Sequence, residues 1–131
     1  MDQSQQVAKE SPYKGKTGIR RVLNATGYSL SGLAAAWRCE AAFRQLLLLA
    51  LSGIALAIWL PLPGWGRALI VVCHLVSLMV ELLNSAIEAA VDHTSLARHL
   101  LAKRAKDMGS AAQFVSLCNI VGVWALVLYA R

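Results

Sequence analysis

The feature that most constrains this chain is a long stretch that is almost free of charge. Between positions 45 and 96 the only formally charged side chains are Arg67, Glu81, Glu88 and Asp92. Of all 131 residues, 57% are apolar and 15% are charged, whereas an ordinary soluble domain carries about 25% charged residues. A nearly uncharged core flanked by basic ends predicts an integral membrane protein.

Three apolar segments are long enough to cross a bilayer as helices. We predict these spans at about 41–60, 68–91 and 108–130, and the first contains the unbroken run LLLLALSGIALAIWL. A tight turn is predicted at 61–67, because two prolines and two glycines cannot continue a helix. A polar loop is predicted at 93–107.

The N-terminal part has a different pattern. Residues 1–16 are polar and lack the apolar segment of a signal peptide, so we predict a disordered cytoplasmic tail. From 17 to about 38, apolar residues recur at three- and four-residue steps, which is typical of a basic amphipathic helix on a membrane surface. That stripe consists of Ile19, Val22, Leu23, Thr26, Leu30, Leu33 and Trp37. We therefore predict an all-α membrane protein, whose single domain (17–131) has this surface helix and three transmembrane helices.

The distribution of lysine and arginine predicts the topology. Eleven of these residues lie before position 45 or in the 93–107 loop, and only Arg67 and Arg131 lie elsewhere. Because lysine and arginine accumulate on the cytoplasmic side, the N-terminus and the second loop are predicted to be cytoplasmic. The short turn at 61–67 and the C-terminus are then predicted to face outward.

Cysteine usage and net charge exclude two other classes of protein. The three cysteines are an odd number and lie in or beside apolar runs, so a disulfide-rich secreted protein is excluded. The net charge of +6 is explained by the topology signal, and no nucleic-acid partner is expected.

The second span carries a polar face in its C-terminal half, ELLNSAIEAAVD. At roughly 100° per residue, its five polar side chains fall within one face about 100° wide. Ionisable groups in a spanning helix are costly and usually functional. Carboxylate and amide oxygens without a histidine or cysteine cluster suit Mg²⁺. This face consists of Glu81, Asn84, Ser85, Glu88 and Asp92.

Structural explanations of these side chains remain open. The carboxylates could pair with basic residues of a neighbouring helix, and Asp92 could be solvated or cap its helix. His74 is expected to be a packed or hydrogen-bonded residue of the span. Glu40, at the start of the first span, could form an ion pair with Arg44, four residues later.

A second polar cluster, AKDMGSAAQ, opens the third span. Lys106 and Asp107 lie at the membrane boundary, and Ser110 and Gln113 follow on the same side. Lys106 could be a topology signal alone, or it could neutralise phosphate charge beside the acidic face. The small residues from 109 to 112 favour close helix packing.

The chain resembles the prokaryotic diacylglycerol kinases from about position 20 to 129. The motifs that carry the resemblance are GYSLSGLAAAW at 27–37, EAAFRQ at 40–45, ELLNSAIEAAVD at 81–92 and AKDMGSAA at 105–112. The resemblance implies transfer of the γ-phosphoryl group of MgATP to a membrane lipid hydroxyl, most simply that of diacylglycerol. It also implies a homotrimer with active sites between subunits.

The resemblance further implies roles for individual residues. Glu81 would be the general base and would contact the lipid, and Glu40 and Glu88 would hold the metal ions that bridge the nucleotide phosphates. Ser110, Trp59 and Arg67 would contact substrate, and Asn84 and Asp92 would support the site. Contacts with ATP would come from Arg21, Tyr28, Glu40, Glu88, Ala97, Arg98, His99, Lys106 and Asp107. Positions 97–99 depart from the usual residues of the family, and so does Leu46, which follows EAAFRQ.

Three other functions fit part of these observations. An undecaprenol kinase would carry the same motifs. A small proton-coupled transporter could use Glu81 and Glu88 as proton or cation sites, although transporters of this size usually have four spans. A structural subunit would use the acidic face only for packing.

Overall fold

The computed structural model describes residues 18–94 and 99–131. These residues form four helices and no strand: α1 (Ile19–Cys39), α2 (Ala41–Trp59), α3 (Gly64–Thr94) and α4 (Leu100–Tyr129). Helices α2, α3 and α4 are each long and apolar enough to cross a membrane. The predicted fold class, an all-α membrane protein with three spanning helices and an amphipathic N-terminal helix, is confirmed.

The chain divides into two compact units, described within residues 18–34 and 35–131. The first unit holds most of α1, whose apolar stripe is exposed along its length, with Ile19, Val22 and Leu30 among its members. The hydroxyl groups of Thr26 and Ser29 donate to carbonyl oxygens four residues earlier in α1. These two hydroxyl groups therefore satisfy part of their hydrogen bonding within the helix. An exposed apolar stripe of this kind is suited to contact with a membrane surface.

In the second unit, α3 is the central helix and packs against both α2 and α4. The buried residues of α2 are Phe43, Ala50 and Ala57, which repeat every seven residues, and the two alanines are small. Small residues let two helices approach closely, which is how helices associate without a hydrophobic effect inside a membrane. The buried stripe of α3 consists of Gly66, Ile70, Cys73, His74, Ser77 and Glu81.

The loops are shorter than the sequence predicts. Helix α3 begins at Gly64, inside the segment 61–67 for which a turn is predicted, so that prediction is wrong for its last four residues. The carbonyl oxygen of Pro63 accepts hydrogen bonds from the backbone N–H groups of Gly66 (3.0 Å) and Arg67 (3.1 Å). Both prolines precede the helix, where they interrupt no helical hydrogen bond, and glycine is tolerated in a first turn.

Helix α4 begins at Leu100, eight residues before the predicted span, so the second half of the predicted polar loop is helical. The segment LLAKRAKD consists mainly of strong helix formers, and its charges do not prevent a helix outside the hydrocarbon region. The apolar segment that is predicted to cross the membrane therefore covers only part of α4.

Glu40 separates α1 from α2 and has extended backbone angles, φ −109° and ψ 109°. Arg44 and Glu40 form no ion pair, and the Arg44 guanidinium donates instead to the carbonyl oxygen of Trp37 at 2.8 Å. Such a bond satisfies a carbonyl group at the end of α1 that has no helical partner. The explanation of Glu40 by an ion pair with Arg44 is therefore wrong.

His74 is packed between α2 and α3, as expected, and only 1% of it is exposed. Its Nδ1 lies 2.7 Å from the carbonyl oxygen of Ile70, so Nδ1 carries the hydrogen. The opposite side of the ring lies against Gly53, where an added Cβ would overlap Nε2 of the imidazole. Gly53 is thus required by the close approach of the two helices.

We expect Gly53→Ala to lower the stability of the protein by about 1–3 kcal/mol, because the imidazole is held on both sides and cannot move away. The matched control is Gly122→Ala, since an added Cβ at Gly122 meets no atom within 4 Å. Thermal unfolding in one detergent compares the two variants. Equal melting temperatures for both would contradict the packing described.

Candidate functional site

The polar face of α3 opens into a cleft of about 340 Å³ within the second unit. The start of α2, the C-terminal half of α3 and the N-terminal half of α4 form its walls. Glu40, Glu81 and Glu88 all line it, and none of the lysines and arginines that the structure describes does. Three carboxylates around one small space repel one another, so the cleft favours a cation or a hydrogen-bond donor as its occupant. The other lining residues are Ala42, Asn84, Ser85, Ser110, Gln113, Phe114 and Leu117.

Glu81 is the most buried of the three glutamates. It is only 4% exposed, whereas Glu88 is half-buried two turns nearer the end of the helix. At 1.5 Å per residue, the two positions lie about 10 Å apart along the axis. The cleft therefore presents one carboxyl group in a buried environment and another closer to water.

Asn84 orients Glu88. Its Nδ2 donates to Oε1 of Glu88 at 3.3 Å, so the amide oxygen points away from the carboxylate. That oxygen is buried, has no hydrogen-bond partner among the described residues, and lies against Gly109 of α4. An added Cβ at Gly109 would overlap it, so the glycine makes room for the Asn84 side chain between α3 and α4.

Lys106 and Asp92 form an ion pair across α3 and α4. The ammonium Nζ lies 3.1 Å and 3.3 Å from the two carboxylate oxygens, and the two side chains are 39% and 55% exposed. A pair this exposed contributes little to stability, about 0–1 kcal/mol. Between helices, this is the one carboxylate–lysine pair within the residues described, and neither Glu81 nor Glu88 forms one there. The structural explanation by ion pairing thus applies to Asp92 only.

Below Glu81, a ring of hydrogen bonds joins α3 to α4. Gln113 Nε2 donates to Ser77 Oγ at 3.1 Å, and the hydroxyl oxygens of Ser77 and Ser116 are 3.0 Å apart. Ser116 Oγ in turn donates to the backbone carbonyl of Gln113 at 2.8 Å. Ser77 and Ser116 are buried, so the ring satisfies polar groups that could find no water there.

Several residues predicted for the site lie elsewhere in the structure. Trp59 is 81% exposed at the end of α2, and the Arg67 guanidinium donates to the carbonyl oxygens of Ala57 (3.2 Å) and Leu60 (3.1 Å). Asp107 is exposed and does not line the cleft, and His99 is the residue before α4. Arg21 and Tyr28 are exposed on α1 in the first unit. Ala97 and Arg98 lie outside the described residues.

The sequence prediction missed the apolar wall of the cleft. Ala42, Phe114 and Leu117 line it, and Phe114 and Leu117 follow Ser110 and Gln113 at steps of three and four residues. That spacing places all four on one face of α4. The periodicity was available in the sequence, but apolar residues in a spanning helix carry no signal that separates a cleft from a lipid-facing surface.

The carboxylates of the cleft bear on metal binding. Within residues 18–94 and 99–131, no three His, Cys, Asp or Glu side chains are grouped to hold a metal ion by themselves. Mg²⁺ is commonly bound by only one or two carboxylates together with substrate phosphates. Glu40 and Glu88, which line one cleft, fit that chemistry.

Comparison with known proteins gives consistent results. The sequence profile of the prokaryotic diacylglycerol kinases matches residues 27–128. A diacylglycerol kinase of Pseudomonas aeruginosa is 59% identical over 118 residues, which cover 90% of this chain and 96% of the relative. The Escherichia coli K12 diacylglycerol kinase is 43% identical over 115 residues, covering 88% and 94%. A Helicobacter pylori diacylglycerol kinase is 48% identical over 123 residues, covering 92% and 94%.

Proposed function

The chain belongs to the prokaryotic diacylglycerol kinase family, and we infer from this membership that it phosphorylates diacylglycerol with ATP. The products are phosphatidic acid and ADP. One observation connects this function to particular residues: Glu40, Glu81 and Glu88 line a single cleft. The comparisons favour neither an undecaprenol kinase nor a proton-coupled transporter, because the matching relatives are named diacylglycerol kinases.

Glu81 is proposed as the general base. Its carboxylate accepts the proton of the lipid hydroxyl while the hydroxyl oxygen attacks the γ-phosphorus of ATP and the bond to the β-phosphate oxygen breaks. Its burial beside the apolar residues Phe114 and Leu117 supports this role, because a lipid reaches the cleft from within the membrane. Ser110 lies on the same cleft and is proposed to contact the lipid substrate.

Glu40 and Glu88 are proposed to hold Mg²⁺ together with the phosphates of ATP. When bound, the metal neutralises phosphate charge and fixes the orientation of the transferred group. Asn84 keeps the Glu88 carboxylate in place through the hydrogen bond described above. This division leaves Glu81, which is deeper and more buried, to act on the lipid.

The remaining contacts with ATP are proposed at the cytoplasmic end. Lys106 pairs with Asp92, which lies four residues beyond Glu88 on α3, and a nucleotide phosphate can replace that carboxylate as its partner. Asp107, His99, Ala97, Arg98, Arg21 and Tyr28 are proposed to contact ATP on the resemblance alone. Trp59 and Arg67 stay proposed lipid contacts, although the guanidinium of Arg67 already donates to two carbonyl groups.

The proposed topology brings the nucleotide and the cleft together. Glu40, Glu88 and Ser110 lie toward the ends of their helices that adjoin the basic N-terminal region and the 93–107 loop. On the positive-inside rule, this is the cytoplasmic side of a bacterial inner membrane, where ATP is present. The N-terminus is then cytoplasmic and the C-terminus periplasmic.

A homotrimer with shared sites is proposed for the assembly. Inside a membrane, three helices leave an acidic cleft open on one side, and carboxylates that face lipid tails are costly. A cyclic oligomer covers such a cleft with a neighbouring subunit. Among residues 18–94 and 99–131, no basic side chain lines the cleft, so a neighbour can supply positive charge for the nucleotide.

The function is tested with purified protein in lipid vesicles, diacylglycerol and ATP labelled with ³²P at the γ-position. The label is expected in phosphatidic acid. Vesicles in which undecaprenol replaces diacylglycerol are the control for acceptor class. Labelled undecaprenyl phosphate without labelled phosphatidic acid would overturn the proposed acceptor.

Glu40→Gln and Glu88→Gln are each expected to raise the Mg²⁺ concentration needed for half-maximal activity by about tenfold or more, because changes near a metal alter its affinity by roughly 10- to 100-fold. Mg²⁺ titrations at fixed ATP measure this effect. Ser85→Ala, on the same cleft, is the control and should leave the titration unchanged. A lower melting temperature with an unaltered Mg²⁺ titration would identify the glutamates as structural residues.

A further inference from the structure

Gly109 is buried on α4, where this helix packs against α3, and it does not line the cleft. The three atoms nearest to an added Cβ at this position all belong to one side chain, that of Asn84. The nearest of them is the amide oxygen, which would overlap the Cβ. The space that glycine leaves on α4 is therefore taken by the end of the Asn84 side chain.

The Asn84 amide is fixed at both ends. Nδ2 donates to Oε1 of Glu88 at 3.3 Å, and Oδ1 is buried against Gly109. The orientation of the amide follows from the carboxylate, which accepts a hydrogen bond from the nitrogen but would repel the oxygen. Glycine has a hydrogen where other residues have a Cβ, and a Cα–H group is a weak donor to an oxygen between two helices. Oδ1 therefore fits this place because residue 109 is glycine.

A methyl group at position 109 would force the Asn84 amide to turn about the bond between its Cβ and Cγ. Rotation about such a bond is soft, so the overlap is relieved at little cost in stability. The amide is planar, however, so Nδ2 moves together with Oδ1 and leaves the Glu88 carboxylate. A half turn does not restore the hydrogen bond, because it places the oxygen against the carboxylate and the NH₂ group against the methyl group.

Resting on the proposed function, we propose that Gly109 is a positioning residue that acts through Asn84 on Glu88, the carboxylate proposed to bind Mg²⁺ with ATP. Groups that hydrogen-bond to a metal ligand fix its orientation, and their loss lowers metal affinity by roughly 10- to 100-fold. Helix stability does not account for this glycine, because alanine is the more favourable residue inside a helix. The space for the amide does account for it.

The test measures metal binding without turnover. Mn²⁺ replaces Mg²⁺, since carboxylate oxygens suit both ions, and the nucleotide is an ATP analogue with a methylene group between the β- and γ-phosphorus atoms. Electron paramagnetic resonance of free Mn²⁺ gives the Kd of the bound ion. Gly109→Ala is expected to raise this Kd by about tenfold or more. Gly122→Ala, the same change on the same helix with no atom within 4 Å of the added Cβ, should leave it unchanged.

A second control separates positioning from helix packing. Gly53→Ala disturbs the contact with His74, so it should lower the melting temperature and leave the Kd of Mn²⁺ unchanged. Gly109→Ala should show the opposite pattern. Equal Kd values for Gly109→Ala and Gly122→Ala would overturn the inference and leave the kinase function intact, whereas a failure of the unmodified protein to phosphorylate diacylglycerol would overturn the proposed function.

A double variant tests whether Gly109 acts through Asn84. Asn84→Ala removes the amide and should by itself weaken Mn²⁺ binding by about tenfold or more. Adding Gly109→Ala to it should change the Kd by less than about twofold, because no amide is left to displace and the two effects are then not additive. A further tenfold loss in the double variant would overturn the inference. So would a Gly109→Ala protein that fails to fold both with and without the Asn84 amide, because the glycine would then serve helix packing.

Discussion

Glu81→Gln is expected to lower the rate of lipid phosphorylation by roughly 10²–10⁴-fold, the contribution of a general base. Glutamine keeps the shape of the side chain but cannot accept a proton from the lipid hydroxyl. The residue is 4% exposed within the cleft, so water cannot readily replace the missing base. The measurement is initial-rate transfer of ³²P from ATP to diacylglycerol, at saturating concentrations of both substrates.

The control for Glu81→Gln is the folded state of the same preparation. Helix content, melting temperature and oligomer size should match those of the unmodified protein, and the KM for MgATP should change little. Ser85→Ala, on the same face of α3, should retain most of the activity. If Glu81→Gln lowered the turnover by only about threefold or less, the loss would be far smaller than that expected for a missing general base. Glu81 would then not be the base.

Mixed oligomers of two inactive variants are expected to recover activity when the two changed residues come from different subunits. Glu81→Gln protein is unfolded and reassembled in equal amounts with Lys106→Ala protein. If the carboxylates of one subunit work with the lysine of its neighbour, about a quarter of the sites in a random cyclic trimer contain neither change. Activity should therefore rise from near zero to about a quarter of normal.

A second mixture provides the matched control. Glu40 and Glu81 line one cleft of one chain, so a mixture of Glu40→Gln and Glu81→Gln leaves every cleft with a defect and should stay inactive. Crosslinking of differently tagged subunits establishes that the trimers are mixed. No recovery with Lys106→Ala in such trimers would mean that each site is built within a single chain.

The three long helices are predictable from the sequence because each contains an apolar segment long enough to cross a membrane. The helix ends are less predictable. Gly64 and Gly66 look like turn residues, yet both lie in the first turn of α3, where the backbone N–H groups have no helical partners in any case. Likewise, the charged start of α4 looks like a loop although its residues favour a helix.

The acidic face of α3 could also be predicted, because its periodicity depends on one helix only. What the sequence could not provide is the pairing of side chains from different helices. The partner of Lys106 is Asp92, and the partner of Gln113 is Ser77, and both pairs depend on how α4 packs against α3. Gly109 is a further example. Only the packing of α4 against α3 shows that this glycine makes room for the Asn84 side chain.

The depth of Glu81 also bears on a competing reaction that any kinase has to suppress, the hydrolysis of ATP by water. A base that is open to the cytoplasm would activate water as readily as an alcohol. In this cleft the carboxyl group is covered on nearly all sides, and the apolar residues near it favour a lipid over water. On the proposed roles, the placement of this one side chain therefore limits futile ATP consumption.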